Sequence, residues 1–262
     1  MRSSYGWLVP VLLTLFVQPA QSSPERPQVV SARPQDIQVF TLKFIDTTAG
    51  ECEIETMAKA TWQNQPAQHL RATIRTVGFF RLFYPFTEVV DVYFDTLHAT
   101  PLFVDINIHD RDKLQHTQIR LDGKTLRGEE IEDSTEPGNP PNHRKKMWSI
   151  TPGAQSIFSI LPFLRMQALK PGSQLTFPIS HDERNGSFHA EVLGGQSVHV
   201  PGGDEKALLV KVAKDFTDTF YDSSTREEPL LWFSDDADKK LLRFEFKHRR
   251  GKLIAVLKNT NS

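Results

Sequence analysis

Asp105, His109 and His116 are the first residues whose types and spacing suggest chemistry. They lie in "PLFVDINIHD" and "LQHTQIRL", two stretches of alternating apolar and polar residues joined by "RD". A hairpin that pairs Ile108 with Gln115 sets Val104 opposite Ile119 and Leu102 opposite Leu121. Asp105, His109 and His116 then share the opposite face, the two histidines as diagonal neighbours. Two imidazoles and a carboxylate can hold a transition metal. A wetted strand face accounts for the same residues without a metal.

The other chemistry-bearing residues are sparse. "SDDAD" gathers Asp235, Asp236 and Asp238, but the central glycine and distal glutamate of a calcium loop are missing, so a turn held by Asp-to-backbone bonds is expected. Cys52 is the only cysteine. It cannot close a disulfide within the chain and reads as a buried small hydrophobe. No nucleophile elbow, zinc-protease pair or phosphate-cradling loop occurs, so no residue set points to catalysis or to a cofactor. The net charge of −1 carries no basic excess that would suit nucleic acid.

One cluster stands apart. "GFFRLFYPF" packs Phe79, Phe80, Leu82, Phe83, Tyr84 and Phe86 between Gly78 and Pro85. Either these residues form a corner strand that completes the core, or they form an apolar lip where a ligand binds. Trp232 and Phe233 fit either reading.

The elements that must position these residues are mainly strands. "DIQVFTLKFID" and "GECEIETMAKATW" alternate with period 2, and in the second Cys52 and Ile54 oppose Glu51, Glu53 and Glu55. "HLRATIRTV" and "FTEVVDVYFD" continue the pattern, as do seven segments after residue 172. Antiparallel sheet with one solvated face reads this way. Residues 128–146, acidic, then Pro/Gly-rich, then basic, are expected to be a long mobile loop. The exception to the strands is "TPGAQSIFSILPFLRMQAL". Thr151 as N-cap and Pro152 at the first helical position predict a helix of about a dozen residues near 153–166, kinked at Pro162 and surrounded by protein.

The fold expected is a large curved antiparallel sheet, half-barrel-like, wrapped around that one buried helix, in a single domain over residues 36–258. Residues 1–22, with an apolar run of ten ending before "AQS", read as a secretory signal peptide, and residues 23–35 as an extended leader. A run of that length is well short of the about 20 residues that span a bilayer. A periplasmic or secreted protein, free of the membrane after cleavage, is therefore expected.

Five landmarks in the C-terminal part match a known pattern: Phe163-Leu164-Arg165, Leu169-Lys170-Pro171-Gly172, Val200-Pro201-Gly202-Gly203, Trp232-Phe233-Ser234-Asp235-Asp236 and Gly251-Lys252-Leu253. In order and spacing they resemble the bacterial exported family called domain of unknown function 3108. Ser156 departs from that family's usual Asp at the helix start, and Leu242 from its usual Pro. The resemblance implies a half-barrel sheet around a helix, similar in general build to periplasmic lipoprotein carriers and other sensors of apolar ligands, and it implies no activity.

The functional expectation is a non-enzymatic envelope protein, a binding or assembly factor. Its concave face would hold a lipid or other apolar ligand against Phe79, Phe80, Phe83, Phe86 and Trp232. A protein-interaction module with an envelope partner, and a hydrolase or metal-dependent enzyme with scattered catalytic residues, are the alternatives.

Overall fold

A computed structural model describes residues 28–29, 34–57, 60–214, 228–248 and 251–261. The predicted signal peptide and most of the predicted leader lie outside the described residues. In chain order the strands are β1 (Gln28–Val29), β2 (Pro34–Phe44), β3 (Thr47–Met57), β4 (Ala60–Trp62) and β5 (Gln65–Thr76). Helix α1 (Gly78–Phe83) precedes β6 (Phe86–Asp95), β7 (Pro101–Asp110), β8 (Lys113–Asp122), β9 (Arg127–Thr135) and β10 (Asn142–Ser149). Helix α2 (Ile160–Met166) leads into β11 (Gln174–His181), β12 (Arg184–Val200), β13 (Gly203–Lys214), β14 (Leu230–Ser234), β15 (Leu241–His248) and β16 (Gly251–Asn261).

All the described strands belong to one sheet, running β10-β9-β8-β7-β6-β5-β3-β2-β16-β15-β14-β13-β12-β11, with the short β1 and β4 set beside β5. Every strand pairing in that path is antiparallel. Chain direction then gives the sheet two ends. The β2–β3 and β5–β6 connections lie at one, the upper end, and the β10–β11 connection with α2 lies at the other. The Ile108–Gln115 register of the β7–β8 hairpin is the one the apolar alternation dictates.

The free edges of the path, β10 and β11, are brought together by side chains. Trp148 Nε1 donates to Ser180 Oγ at 2.9 Å, Lys146 Nζ to Asp182 Oδ1 at 2.5 Å, and Asn185 Nδ2 to the Ser149 carbonyl at 2.8 Å. The segment after β10 also hydrogen-bonds β11 through its backbone, Gln155 N to Pro178 O and Ser180 N to Gln155 O. The curved sheet is thereby closed by the same stretch of chain that carries α2.

Four expectations change. Residues 128–146 are not a loop: they form β9, a tight connection and most of β10. Their inward positions are Glu130, Glu132 and Ser134, set opposite Lys146, Arg144 and Asn142. Charge neutralised across the pair replaces the apolar stripe that would have marked a strand. The helix is also shorter than predicted, seven residues with Ser159 as N-cap. Pro162 therefore falls in the first turn, where no backbone N–H is needed, and produces no kink. Finally, α2 is not enclosed: Pro162 and Leu164 are buried, whereas Ile160, Leu161 and Phe163 are only half-buried. It caps the lower end of the sheet instead of filling its centre. Within the predicted leader, Gln28–Val29 pairs with β4, and β2 already begins at Pro34.

Two apolar clusters fill the inner face. One joins α2 and Leu169 to β11–β16 and β2 around Phe40, Leu164, Ile179, Val210 and Phe233. The other lies on β5–β8 around Val90, Val104, Ile106 and Ile119. Ile54 and Phe163 pack against both.

Candidate binding site in the concave face

The predicted site residues fall in three separate places. On the outer face, His116 Nε2 donates to Asp105 Oδ1 at 3.0 Å, and Asp105 also accepts from Asn107 at 2.9 Å and Gln118 at 3.1 Å. Burial raises the Asp105 carboxyl, but the bonds from His116 and Gln118 outweigh it and hold the group below its ordinary range. His109 shares an open groove of about 680 Å³ with His116, Asp133 and His143, where His143 Nδ1 lies 2.6 Å from Asp133 Oδ1. No three His, Cys, Asp or Glu side chains among the described residues converge as a metal ion requires.

Trp232 lies on β14, in the other half of the sheet from the Phe79–Phe86 run. Its indole N–H donates to Gln196 Oε1 at 3.0 Å, the Arg243 guanidinium stands 5.4 Å from its ring centroid, and it is buried. The structure makes it a packing residue and does not bring it to the other aromatics. The "SDDAD" turn is held by Asp236 Oδ1, which accepts from Ser234 Oγ and from the N–H groups of Asp238 and Lys239.

The aromatic run divides. Tyr84 and Phe86 are buried, their rings stacked at 6.3 Å, with Tyr84 Oη donating to Asp110 Oδ2 at 2.9 Å. Before them the chain forms α1 instead of a corner strand, entered through Gly78 at φ 54°, a conformation glycine adopts without strain. Phe79, Leu82 and Phe83 stand at i, i+3 and i+4, so one helical face collects them. That face is uncovered: their exposures are 71%, 79% and 69%. Phe80 is half-buried. An apolar lip therefore stands at the upper end of the sheet, opposite α2.

Between lip and cap runs a continuous inward row, Phe40–Cys52–Ile74–Glu88–Ile108–Gln115, one residue per strand from β2 to β8. The next row toward α2 includes Ile54, Ala72, Val90 and Ile106. At both flanks these rows are tightly covered, as Phe40, Val90 and Ile106 show. In the middle they are not: Cys52, Ile54, Ala72 and Ile74 keep part of their surface, as do Leu42 on β2 and Phe244 on β15. The Cys52 thiol is nevertheless deep enough for burial to push it up to about 12. These half-buried side chains are where the inner face keeps accessible surface between its two clusters.

Glu88 projects into the same row. It is fully buried, burial pushes its carboxyl up to about 8, and neither oxygen has a hydrogen-bond partner among the described residues. Sequence reasoning passed over it. Yet in "FTEVVDVYF" period-2 alternation puts Glu88 on the face of Phe86, Val90 and Val92, an acid at an inward position.

One solved structure shares this architecture. A β-barrel-like protein of another family of unknown function, DUF1849, from Brucella abortus, matches 86% of this chain and 96% of its own at 10% identity, with a TM-score of 0.50. A chain described as a putative lipoprotein from Parabacteroides distasonis matches 87% and 96% at 12% identity, with a TM-score of 0.31. No curated protein matches the chain. Among the described residues, no helix is long and apolar enough to cross a membrane. A family model covers residues 39–258, nearly the whole described sheet, and the chain belongs to that family, the proteins of unknown function DUF3108.

Proposed function

We propose that this protein is a non-enzymatic, exported factor of the cell envelope that holds an apolar molecule in the concave face of its sheet. The observation that carries the reading is the uncovered centre of the inner face, where Cys52, Ile54, Ala72 and Ile74 keep accessible surface between two filled apolar clusters. Apolar surface left inside a protein forgoes about 25 cal/mol for each Å² that a ligand would cover. The lip of Phe79, Leu82 and Phe83 lies at the upper end of the sheet, where such a molecule would enter.

Solvent extraction of protein purified from the envelope, followed by mass spectrometry, tests this. A stoichiometric apolar compound is expected from the natural protein, and much less from Phe83→Asp, which should remain folded because Phe83 is exposed. A second reading, docking of an envelope protein partner, is favoured by the same lip. It predicts an empty interior, with Phe83→Asp abolishing capture of that partner.

A further inference from the structure

The geometry points to Glu88 as the polar anchor of this interior space, and to an uncharged amphiphile as its occupant: an apolar body carrying one hydroxyl, amide or similar neutral hydrogen-bonding group. The inference rests on the cavity reading above and adds the chemistry of the ligand's head. Glu88 lies on the inner face with no exposed surface, and both oxygens lack partners among the described residues. Its register neighbours are Ile74 and Ile108, and Phe86 and Val90 flank it on the same strand face. Buried polar atoms in native proteins are almost always paired, so an orphaned carboxyl beside half-buried Ile74 calls for a partner from outside the chain.

The surroundings select the partner. Burial favours the protonated form. A neutral carboxyl offers one O–H donor and one accepting carbonyl, the complement of an alcohol or amide. The titratable groups around it supply no cation for an anionic head. Cys52 on β3 is held neutral by burial, and Tyr84 and Asp110 at the upper rim bond each other. β5 presents Ala72, Ile74 and Thr76 on its inner face, the Thr76 hydroxyl donating to the Tyr84 carbonyl, and α2 contributes Phe163 to the cluster. The inward cations Arg144 and Lys146 stand four strands away on β10, opposite Glu132 and Glu130.

Displacement of the fluorophore N-phenylnaphthylamine from the full protein tests the assignment. Dodecanol, dodecylamine and dodecyl phosphate serve as competitors, against the natural protein, Glu88→Gln and Glu88→Leu, each checked for an unchanged far-ultraviolet spectrum. Dodecanol should displace best, by about tenfold over dodecyl phosphate, which would bury an unpaired charge. Glu88→Gln should hold dodecanol within about threefold, whereas Glu88→Leu should lose about tenfold for dodecanol yet bind the fluorophore as before. Dodecylamine binding best, and losing its advantage in Glu88→Gln, would overturn the neutral-head assignment in favour of an ion pair. Unchanged dodecanol affinity in Glu88→Leu would show that Glu88 does not touch the ligand. Failure of the natural protein to bind the fluorophore would overturn the cavity reading and this assignment with it.

Discussion

The two halves of the sheet bury their inner faces by different means. In the C-terminal half, β11–β16 and α2 bring together Leu164, Phe177, Ile179, Val210 and Phe233 in a continuous apolar cluster. In the other half the inner face is apolar only as far as β8, and then turns to Glu130, Glu132 and Ser134 against Lys146, Arg144 and Asn142. A charged flank cannot simply collapse onto an apolar one, because each buried charge must keep its partner. Between the two flanks, on β3 and β5, Cys52, Ile54, Ala72 and Ile74 stay only half-buried. Closure is delegated to the seam between β10 and β11, where Lys146 bridges Glu130 at 3.1 Å and Asp182 at 2.5 Å.

The comparison breaks first if the apolar half does not depend on its helix. Leu164→Ala should cost about 3 to 5 kcal/mol in denaturant unfolding, because Leu164 has no exposed surface, whereas half-buried Ile160 and Leu161 should each cost about 1 to 2 on the same change. Equal costs at the three sites would mean that the helix contributes no specific plug. In the polar half, Lys146→Met leaves Glu130 buried without its cation and removes one of the links between the two edges, a loss of about 3 kcal/mol. Asp182, which burial raises but Lys146 holds below its ordinary range, should then titrate higher by NMR.

Glu88 sharpens the contrast through pH. Its folded pKa of about 8 lies above the ordinary 4.5, so between these values the unfolded chain releases a proton that the folded protein keeps. Stability should therefore fall as pH rises through that window and level off above it. Glu88→Gln removes this dependence, and its stability relative to the natural protein should improve by about 3 kcal/mol between pH 5 and pH 8. A pH-independent difference between the two would show that Glu88 is not held protonated. The smallest effect is expected at the lip, where Phe83→Asp should change stability by under about 0.5 kcal/mol.

Where side-chain polarity follows burial, the architecture was legible. The β7–β8 register follows from Val104, Ile106 and Ile108 facing Ile119, Thr117 and Gln115, and the one-sided alternation of β3 and β5 follows from their glutamates and arginines facing water. Legibility failed where another force did the pairing. β9 and β10 looked like a loop because their inward residues are charged and compensate one another across strands. α2 is shorter than expected because Thr151 and Pro152, which look like a cap and a first turn, start no helix; the helix begins at Ile160 behind Ser159, where Pro162 is tolerated. In the aromatic run, the spacing of Phe79, Leu82 and Phe83 carried the helical signal that their bulk obscured. The uncovered centre of the inner face had no local signature, since it depends on how fourteen strands curve together.

The most direct test of that centre is to fill it. Ile54 touches both apolar clusters and keeps accessible surface between them, so Ile54→Trp should occupy the space a ligand would use. In a fluorescence titration with N-phenylnaphthylamine, the natural protein should bind about one equivalent, and Ile54→Trp should lose at least about tenfold in affinity while unfolding at a similar temperature. Equal binding by the two proteins, or none by the natural protein, would contradict the claim that the concave face holds an apolar molecule.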